Sequence, residues 1–260
     1  MPEISVSFGS DEWLTHVEKS PPVRKIKSRT RYTHRHSPWL LRRNRLGYVE
    51  SRNELIGILA LEYLEMRGCI SFYKEQPFTT PKELWEEGVA NLTDRKSHEY
   101  TPDFYARSPN GERFVIEVKS ARFVSREMEA SIERWREIFA EHGLKYLLWT
   151  DRSPLVSHLR QNLLRLRRAA VQYYEPDEVS RLVQILEEKG PRPVWALYNL
   201  DVDLDLIAYA TWQGKTHFPL QSLLGGNTEI SLAPADDLAG HLLGLEPDMH
   251  HWWNTLEVAA

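Results

Sequence analysis

The chain has 260 residues, 42% of them hydrophobic and 27% charged, which is enough to bury a core in one large domain or two modest ones. A formal net charge of −4 argues against a DNA grip spread over the whole surface, so any nucleic-acid contact must be local or shared with a partner. The single cysteine, Cys69, excludes an internal disulfide and a cysteine-rich zinc site, and the absence of a bilayer-length apolar run or a signal-peptide core leads us to expect a cytoplasmic protein with no membrane contact.

Residues 1–45 are predicted to form a basic N-terminal arm, of which the first part, Met1–Pro22, is interpreted as irregular. The second part, Val23–Arg45, contains nine lysines and arginines, no aspartate or glutamate, and several interleaved aromatic rings. Phosphates attract such a segment, and its rings could stack on an unpaired base. The predicted DNA contacts are Arg29, Arg31, Arg35, Arg42, Arg43 and Arg45. A solvated tail, or an arm docked on an acidic face of the same protein, is the alternative.

The next predicted element is a helix over Ser51–Arg67, where apolar residues recur with a helical period. Ser51 is suited to the N-cap, and Glu54, three residues later, completes a capping box. Capping alone would explain Glu54. The functional alternative is that Glu54 faces the strands that follow and orients water bound to a metal ion.

A β-hairpin is predicted from two strand-like segments, Tyr100–Tyr105 and Arg113–Lys119, which flank the turn sequence SPNG. The hairpin brings Asp103, in the first segment, close to the end of the second. The polar segment Thr79–Glu99 before it has no clear period and is interpreted as a variable insertion or an extension of the hairpin.

Three polar side chains of this hairpin are predicted to meet. Alternation along the strand points Glu117 and Lys119 to one side and Val118 into the core. With Asp103 they provide two carboxylates and one ammonium, which suits metal-assisted hydrolysis of a phosphodiester: oxygen ligands hold Mg²⁺, and the lysine polarises the attacking water or steadies the phosphate. We expect Asp103, Glu117 and the Val118 carbonyl to bind the ion, with Glu54 in its surroundings or at a second ion. The alternative is that Glu117 and Lys119 form the solvated face of an ordinary strand.

The α/β layer is completed by an amphipathic helix over Ser125–His142, which covers the sheet, and by an apolar strand over Lys145–Thr150, which is expected at its centre. The turn-forming residues that follow mark a domain boundary. The sequence therefore predicts an α/β domain over residues 46–152 and a second domain over residues 153–260.

The second domain is predicted to be mostly helical, with helices over Leu155–Ala170, Pro176–Lys189, Pro193–Asn199 and Asp203–Gln213, and a short strand or part of a wing over Thr216–Leu220. Three helices with a β-ribbon indicate a winged-helix-like domain. The candidate recognition helix begins with the acids Asp201, Asp203 and Asp205, which would repel phosphates, so we expect it to bind protein rather than DNA. These acids are interpreted as capping and helix-dipole partners rather than as a metal site.

The stretch Arg42–Thr150 resembles the catalytic domain of the TnsA family, the endonuclease subunits of heteromeric cut-and-paste transposases, which belong to the PD-(D/E)xK nuclease superfamily. Four sequence pieces carry the resemblance in the family's order: YVES at Tyr48–Ser51, YKEQPF at Tyr73–Phe78, YTPDF at Tyr100–Phe104 and IEVK at Ile116–Lys119. Glu54, Asp103 and Lys119 match the family's catalytic positions. Glu117 matches a position that is Glu in many members and Gln in some.

This resemblance implies a restriction-endonuclease-like core that uses Mg²⁺, with Mn²⁺ as a possible substitute, to cleave the 5′ ends of a transposon in a bacterial cell. It also implies three partners: the double-stranded DNA of the transposon ends, a TnsB-like transposase that cuts and joins the 3′ ends, and a TnsC-like AAA+ ATPase bound by the C-terminal part. Two other functions stay open at this point. One is a stand-alone restriction or repair nuclease with the same core, and the other is a catalytically silent scaffold that links transposase and regulator.

Overall fold

The computed structural model describes residues 7–23, 34–36, 47–49, 52–81, 84, 100–152, 155, 157–233 and 238–243. The chain divides into two compact units, residues 1–155 and residues 156–260. The first unit combines helices with a mixed sheet and the second is mostly helical, so the predicted α/β class is confirmed. Within the described ranges, no helix is both long and apolar enough to cross a membrane.

The first unit is built around one four-stranded sheet. Its elements in chain order are α1 (Asp11–Lys19), β1 (His34–His36), β2 (Gly47–Val49), α2 (Arg52–Met66), β3 (Phe72–Glu75), β4 (Phe104–Arg107), β5 (Arg113–Lys119), a 3₁₀ turn (Ala121–Phe123), α3 (Arg126–Glu141) and β6 (Lys145–Thr150). β1 and β2 pair as a separate antiparallel ribbon. The main sheet has the order β3-β4-β5-β6, antiparallel up to β5 and parallel between β5 and β6. A parallel pair requires a crossover, which α3 supplies.

The predicted hairpin is confirmed as β4 and β5, and β5 has the predicted bounds. β4 begins later than expected, at Phe104, and Asp103 lies in the bend directly before it. The reason is Pro102, which has no N–H to donate to a strand ladder. The antiparallel register therefore ends at the pair Phe104–Ile116.

The predicted central position of Lys145–Thr150 is wrong. Among the described residues, this strand (β6) pairs only with β5 and lies at one end of the sheet. Tyr146 and Leu148 are buried because α3 packs on one face of β6, where they join the cluster around Trp135. Apolar composition indicates that the faces of a strand are covered, and does not indicate how many strands lie beside it.

The irregular N-terminal arm predicted for Met1–Pro22 is wrong over residues 11–19, which form α1. Ser10 caps this helix, and Leu14 and Val17 are buried in the same cluster as α3. A nine-residue helix is marginal by itself, so contacts with distant residues must hold it. One such contact is the ion pair between Glu18 and Arg107 on β4, 2.8 Å long.

The opposite face of the sheet carries α2, the confirmed counterpart of the helix predicted over Ser51–Arg67. Gly57 permits a close approach, because an added Cβ would lie 3.1 Å from the Phe104 ring and 3.3 Å from Val118. These two residues alternate with those that face α3. The approach holds the first turn of α2, which contains Glu54, against the sheet at the end of β5.

The second unit confirms the four predicted helices, and α5 has the predicted bounds. Its elements are α4 (Ser157–Ala169), α5 (Pro176–Lys189), β7 (Arg192–Pro193), α6 (Val194–Tyr198), α7 (Leu204–Trp212), β8 (Glu229–Ile230) and α8 (Leu238–Leu243). Asp203 accepts a hydrogen bond of 2.6 Å from the Leu206 N–H at the start of α7. This bond confirms that Asp203 is a helix cap.

The segment Thr216–Leu220 forms no strand in the described part of the second unit. It contributes only an isolated bridge between His217 and Ser231. Pro219 lies within the segment and removes one of the donors that a strand would need. The ribbon of this unit is instead made by β7 and β8, which pair antiparallel.

Candidate active site

The candidate site lies where β4 begins and β5 ends. The hairpin brings Asp103 beside the last residues of β5, and Glu117 and Lys119 project from that strand. Glu54 lies in the first turn of α2 and is buried. Residues that are more than 60 positions apart in the chain therefore act on one another here.

Glu117 and Lys119 form an ion pair, with 2.6 Å between Glu117 Oε1 and Lys119 Nζ. The two side chains share one side of β5, as alternation predicts. The carboxylate is almost fully buried, at 3% side-chain exposure, and the lysine is 31% exposed. The solvated-face interpretation is therefore wrong for Glu117, since a buried carboxylate has lost its hydration and depends on protein donors.

Asp103 replaces the strand partner that Val118 lacks. Extension of the β4–β5 register would place Pro102 opposite Val118, and proline has no N–H to donate to the Val118 carbonyl. The Val118 N–H donates to Asp103 Oδ2 at 2.8 Å. In a strand, the N–H and C=O of one residue point toward the same neighbour, so the Val118 carbonyl is directed to the same side as Asp103.

Burial raises the pKa of the Asp103 carboxyl well above its usual range, and the charges of Glu117 and Glu54 raise it further. The positive charge of Lys119 acts in the opposite direction without cancelling the effect. Without a cation, the folded protein therefore disfavours the ionised form of Asp103. A bound cation would relieve this repulsion.

Lys119 is held in its charged form. The charge of Glu117 raises the pKa of the Lys119 ammonium above its usual value although burial opposes the change. Asp103 and Glu54 add to the effect. Lys119 thus carries a proton at neutral pH, which suits a residue that stabilises negative charge on a phosphate and does not suit a base that takes a proton from water.

Sequence reasoning missed two tyrosines that lie behind Glu117. The Tyr100 hydroxyl donates to Glu117 Oε2 at 3.0 Å, and the Tyr146 hydroxyl lies 3.1 Å from that of Tyr100. Burial, together with the charge of Glu117, raises the pKa of both phenols, so both keep their protons. Alternation could predict that Tyr146 faces α3, but nothing local in the sequence specifies the partner of its hydroxyl.

Asp151, at the end of β6, is a second group that the sequence did not single out. Its carboxylate accepts hydrogen bonds from the Ala121 N–H at 2.7 Å and from the Ser120 hydroxyl at 2.8 Å. These bonds hold the turn that follows Lys119. Asp151 therefore fixes the direction in which the chain leaves the site.

The donor set fits one Mg²⁺ ion better than a cage made only of side chains. Within the described ranges, no group of three or more His, Cys, Asp or Glu side chains is arranged to hold a metal. Mg²⁺ usually takes one or two carboxylates, keeps several waters and gains further oxygens from substrate phosphates. Asp103, Glu117 and the Val118 carbonyl match that pattern, and Glu54 contributes its charge nearby.

The predicted DNA-binding arginines cannot be placed at the site. Arg35 lies on β1, whose backbone alone is described. The other five lie outside the described residues: Arg29, Arg31, Arg42, Arg43 and Arg45. Ser51, with its predicted capping role, lies outside them as well.

No protein family model matches this chain, and no curated protein sequence matches it closely enough to count as a relative. The resemblance to the TnsA family therefore depends on the sequence motifs, and the chemistry depends on the geometry described above.

Proposed function

We propose that this protein is a Mg²⁺-dependent DNA endonuclease with a restriction-endonuclease-like, PD-(D/E)xK core. The observation that supports it most is the meeting of Asp103, which bonds the Val118 N–H, with the buried Glu117–Lys119 pair. Two carboxylates that repel each other and a permanently charged lysine make a site for a cation and a phosphodiester.

In this proposal, Asp103, Glu117 and the Val118 carbonyl hold the ion. When bound, Mg²⁺ supplies Lewis acidity at the scissile phosphate. Lys119 offsets the negative charge that develops on the phosphate oxygens, which is where a fixed cation is worth most. Glu54 adds negative charge beside the ion and orients water. The products carry a 5′-phosphate and a 3′-hydroxyl, as the superfamily resemblance implies.

More narrowly, we propose the role of a TnsA-like subunit that cuts the 5′ ends of a transposon. The motifs at Tyr48–Ser51, Tyr73–Phe78 and Tyr100–Phe104 support this choice over other nucleases of the same core. The net charge of −4 favours an enzyme that shares its grip on DNA with a partner transposase. The basic segment Val23–Arg45 supplies the local contact, and the acidic start of α7 in a winged-helix-like second unit is the surface for a AAA+ ATPase.

The test is nicking of a plasmid that carries transposon ends, in the presence of Mg²⁺, a TnsB-like transposase and a TnsC-like AAA+ ATPase. Wild type should nick at the 5′ ends, and Asp103→Ala should reduce nicking to background while the protein remains folded. The matched control is Asp11→Ala. Asp11 is 87% exposed and pairs with Arg113 at the start of β5, about 20 Å from Lys119 at roughly 3.3 Å per residue.

Nicking by Asp103→Ala at the wild-type rate would contradict the site. Cleavage of DNA by the chain alone would instead favour the stand-alone nuclease. Lack of metal-dependent nicking by wild type in the complete assembly would favour the silent scaffold.

A further inference from the structure

Behind the carboxylate of Glu117 lies a buried chain of two hydroxyl groups. Tyr100 has one phenolic proton and gives it to Glu117 Oε2, so Tyr146 must be the donor in the 3.1 Å contact between the two hydroxyls. The chain therefore runs from Tyr146 through Tyr100 to Glu117. Tyr100 is 2% exposed and Tyr146 is 4% exposed, so water does not substitute for either group.

The two phenols are held in place by a column of stacked rings. Tyr100 stacks on Trp135 with ring centroids 4.7 Å apart, Trp135 on Phe139 at 5.3 Å, and Phe139 on Tyr146 at 5.5 Å. The two middle rings lie four residues apart on α3, one above the other on the same face of the helix. The column fixes both tyrosine rings while their hydroxyls meet beside Glu117.

Each oxygen of the Glu117 carboxylate has its own donor. Lys119 binds Oε1 and Tyr100 binds Oε2, so each oxygen has one donor and keeps a further lone pair. Rotation of the carboxylate about its last bond would break both contacts. Packing does not require either hydroxyl, since phenylalanine would fill the same space in the column, and burying a hydroxyl costs free energy unless it is bonded.

We propose that Tyr100, supported by Tyr146, is a positioning residue that fixes the Glu117 carboxylate in the orientation needed to bind a divalent cation. The inference depends on the metal site of the proposed function and adds residues to it. Groups that orient a metal-binding side chain from behind typically change metal affinity by about 10–100-fold when they are removed. Tyr146 acts only through the hydroxyl of Tyr100, so its effect should depend on that hydroxyl being present.

The experiment measures Mn²⁺ binding by the full-length chain, using the electron paramagnetic resonance signal of free Mn²⁺. The variants are Tyr100→Phe, Tyr146→Phe, the double variant and Asp103→Ala. The matched control is Tyr105→Phe. Tyr105 is buried on the same face of the sheet, and its hydroxyl donates to Glu18 at 3.3 Å. All three tyrosine changes keep the ring, so each variant should fold.

We expect Tyr100→Phe to weaken Mn²⁺ binding by about tenfold or more, Tyr146→Phe to weaken it less, and Tyr105→Phe to leave it unchanged. The double variant should bind like Tyr100→Phe, because the second change acts through a hydroxyl that is already absent. Wild-type affinity in Tyr100→Phe, or independent losses that add in the double variant, would overturn the inference.

Asp103→Ala separates this outcome from failure of the site itself. If Asp103→Ala abolishes Mn²⁺ binding and Tyr100→Phe does not change it, the metal site stands and only the role of Tyr100 is wrong. If Asp103→Ala binds Mn²⁺ like wild type, or wild type binds none, the metal site is wrong and the inference is wrong with it.

Discussion

Asp103 lies in surroundings that disfavour its own charge. Because its pKa is raised in the folded protein, the folded state binds the proton more tightly than the unfolded state does. The stability of the metal-free protein should therefore fall as the pH rises from about 4, the usual carboxyl value, toward the raised pKa. A bound cation should restore what ionisation of Asp103 removes.

Asp103→Asn tests this balance, because asparagine stays neutral and its oxygen can still accept from the Val118 N–H. At neutral pH without metal, we expect the variant to unfold at a higher temperature than wild type, by about 2–4 °C for each kcal/mol of repulsion removed. Mg²⁺ should raise the midpoint of wild type and leave that of the variant unchanged. Differential scanning calorimetry from pH 4 to pH 8 measures both effects.

Asp151→Asn is the matched control with the opposite sign. Burial tends to raise the pKa of Asp151, but hydrogen bonds to its carboxylate, including those from Ala121 and Ser120, outweigh burial and leave that pKa lowered. The same substitution should therefore destabilise the protein at neutral pH. If both variants change the midpoint in the same direction, the charge balance inferred for Asp103 is wrong.

Lys119 should be needed for its charge. Lys119→Met keeps most of the side-chain stem and removes the ammonium, so we expect kcat for nicking to fall by about 10²–10³-fold, as when one fixed group that stabilises a transition state is deleted. Lys119→Arg, which keeps a positive charge, should retain more activity than Lys119→Met. Single-turnover nicking in the assembled complex measures the rate, and equal rates for wild type and Lys119→Met would show that the ion pair is only structural.

At the residue scale, the sequence predicts contacts between side chains that are close in the chain or joined by a single turn. Glu117 and Lys119 are two residues apart on a strand, and a turn signal brings Asp103 beside them, so their meeting is readable from alternation and hairpin formation. The contact of Tyr100 with Tyr146 is different, because it depends on how α3 stacks its rings between two segments that are 46 residues apart. No periodicity encodes that arrangement.

At the scale of elements, α1 depends on a residue far along the chain. The ammonium of Lys74, fully buried on β3, donates to the carbonyl oxygens of Val17 and Ser20 where α1 ends. These carbonyls have no partner within the helix, and a cation is favourable at a helix C-terminus. This explains why a short helix forms at positions where the sequence alone predicts an irregular arm.

Lys74→Met should therefore release the end of α1. Leaving buried acceptors without a donor costs about 1–3 kcal/mol, which urea unfolding would report as a lower midpoint. The control is Lys145→Met, since Lys145 is 49% exposed and its ion pair with Glu112 is worth about 0–1 kcal/mol. Equal losses in the two variants would show that the buried contacts of Lys74 do not hold α1.

The elements that sequence reasoning predicts well have local signals at both ends. α5 begins with a proline after Glu175 and ends before Gly190, and α3 begins after Ser125, whose hydroxyl caps it. The wrong predictions concern tertiary contacts. The position of β6 at one end of the sheet and the docking of α1 both follow from long-range packing, which no window of the sequence contains.

At the scale of the whole molecule, the hairpin proposed to bind metal belongs to a chain with little overall attraction for DNA. A net charge of −4 gives no general attraction toward phosphates, so in the proposed function a cation bound at the site is itself part of what attracts a phosphodiester. In the proposed function, specificity for particular DNA ends comes from the basic segment Val23–Arg45 and from partner proteins. This division of labour suits a subunit that is active only within an assembly.

The most direct test of the metal site is anomalous diffraction from crystals of the full-length protein grown with Mn²⁺, recorded at the manganese absorption edge. The account predicts one strong peak within bonding distance of the Asp103 and Glu117 carboxylates and the Val118 carbonyl, and no such peak in crystals of Asp103→Ala. A map at saturating Mn²⁺ with no peak between the two carboxylates would contradict it, as would an ion bound only elsewhere.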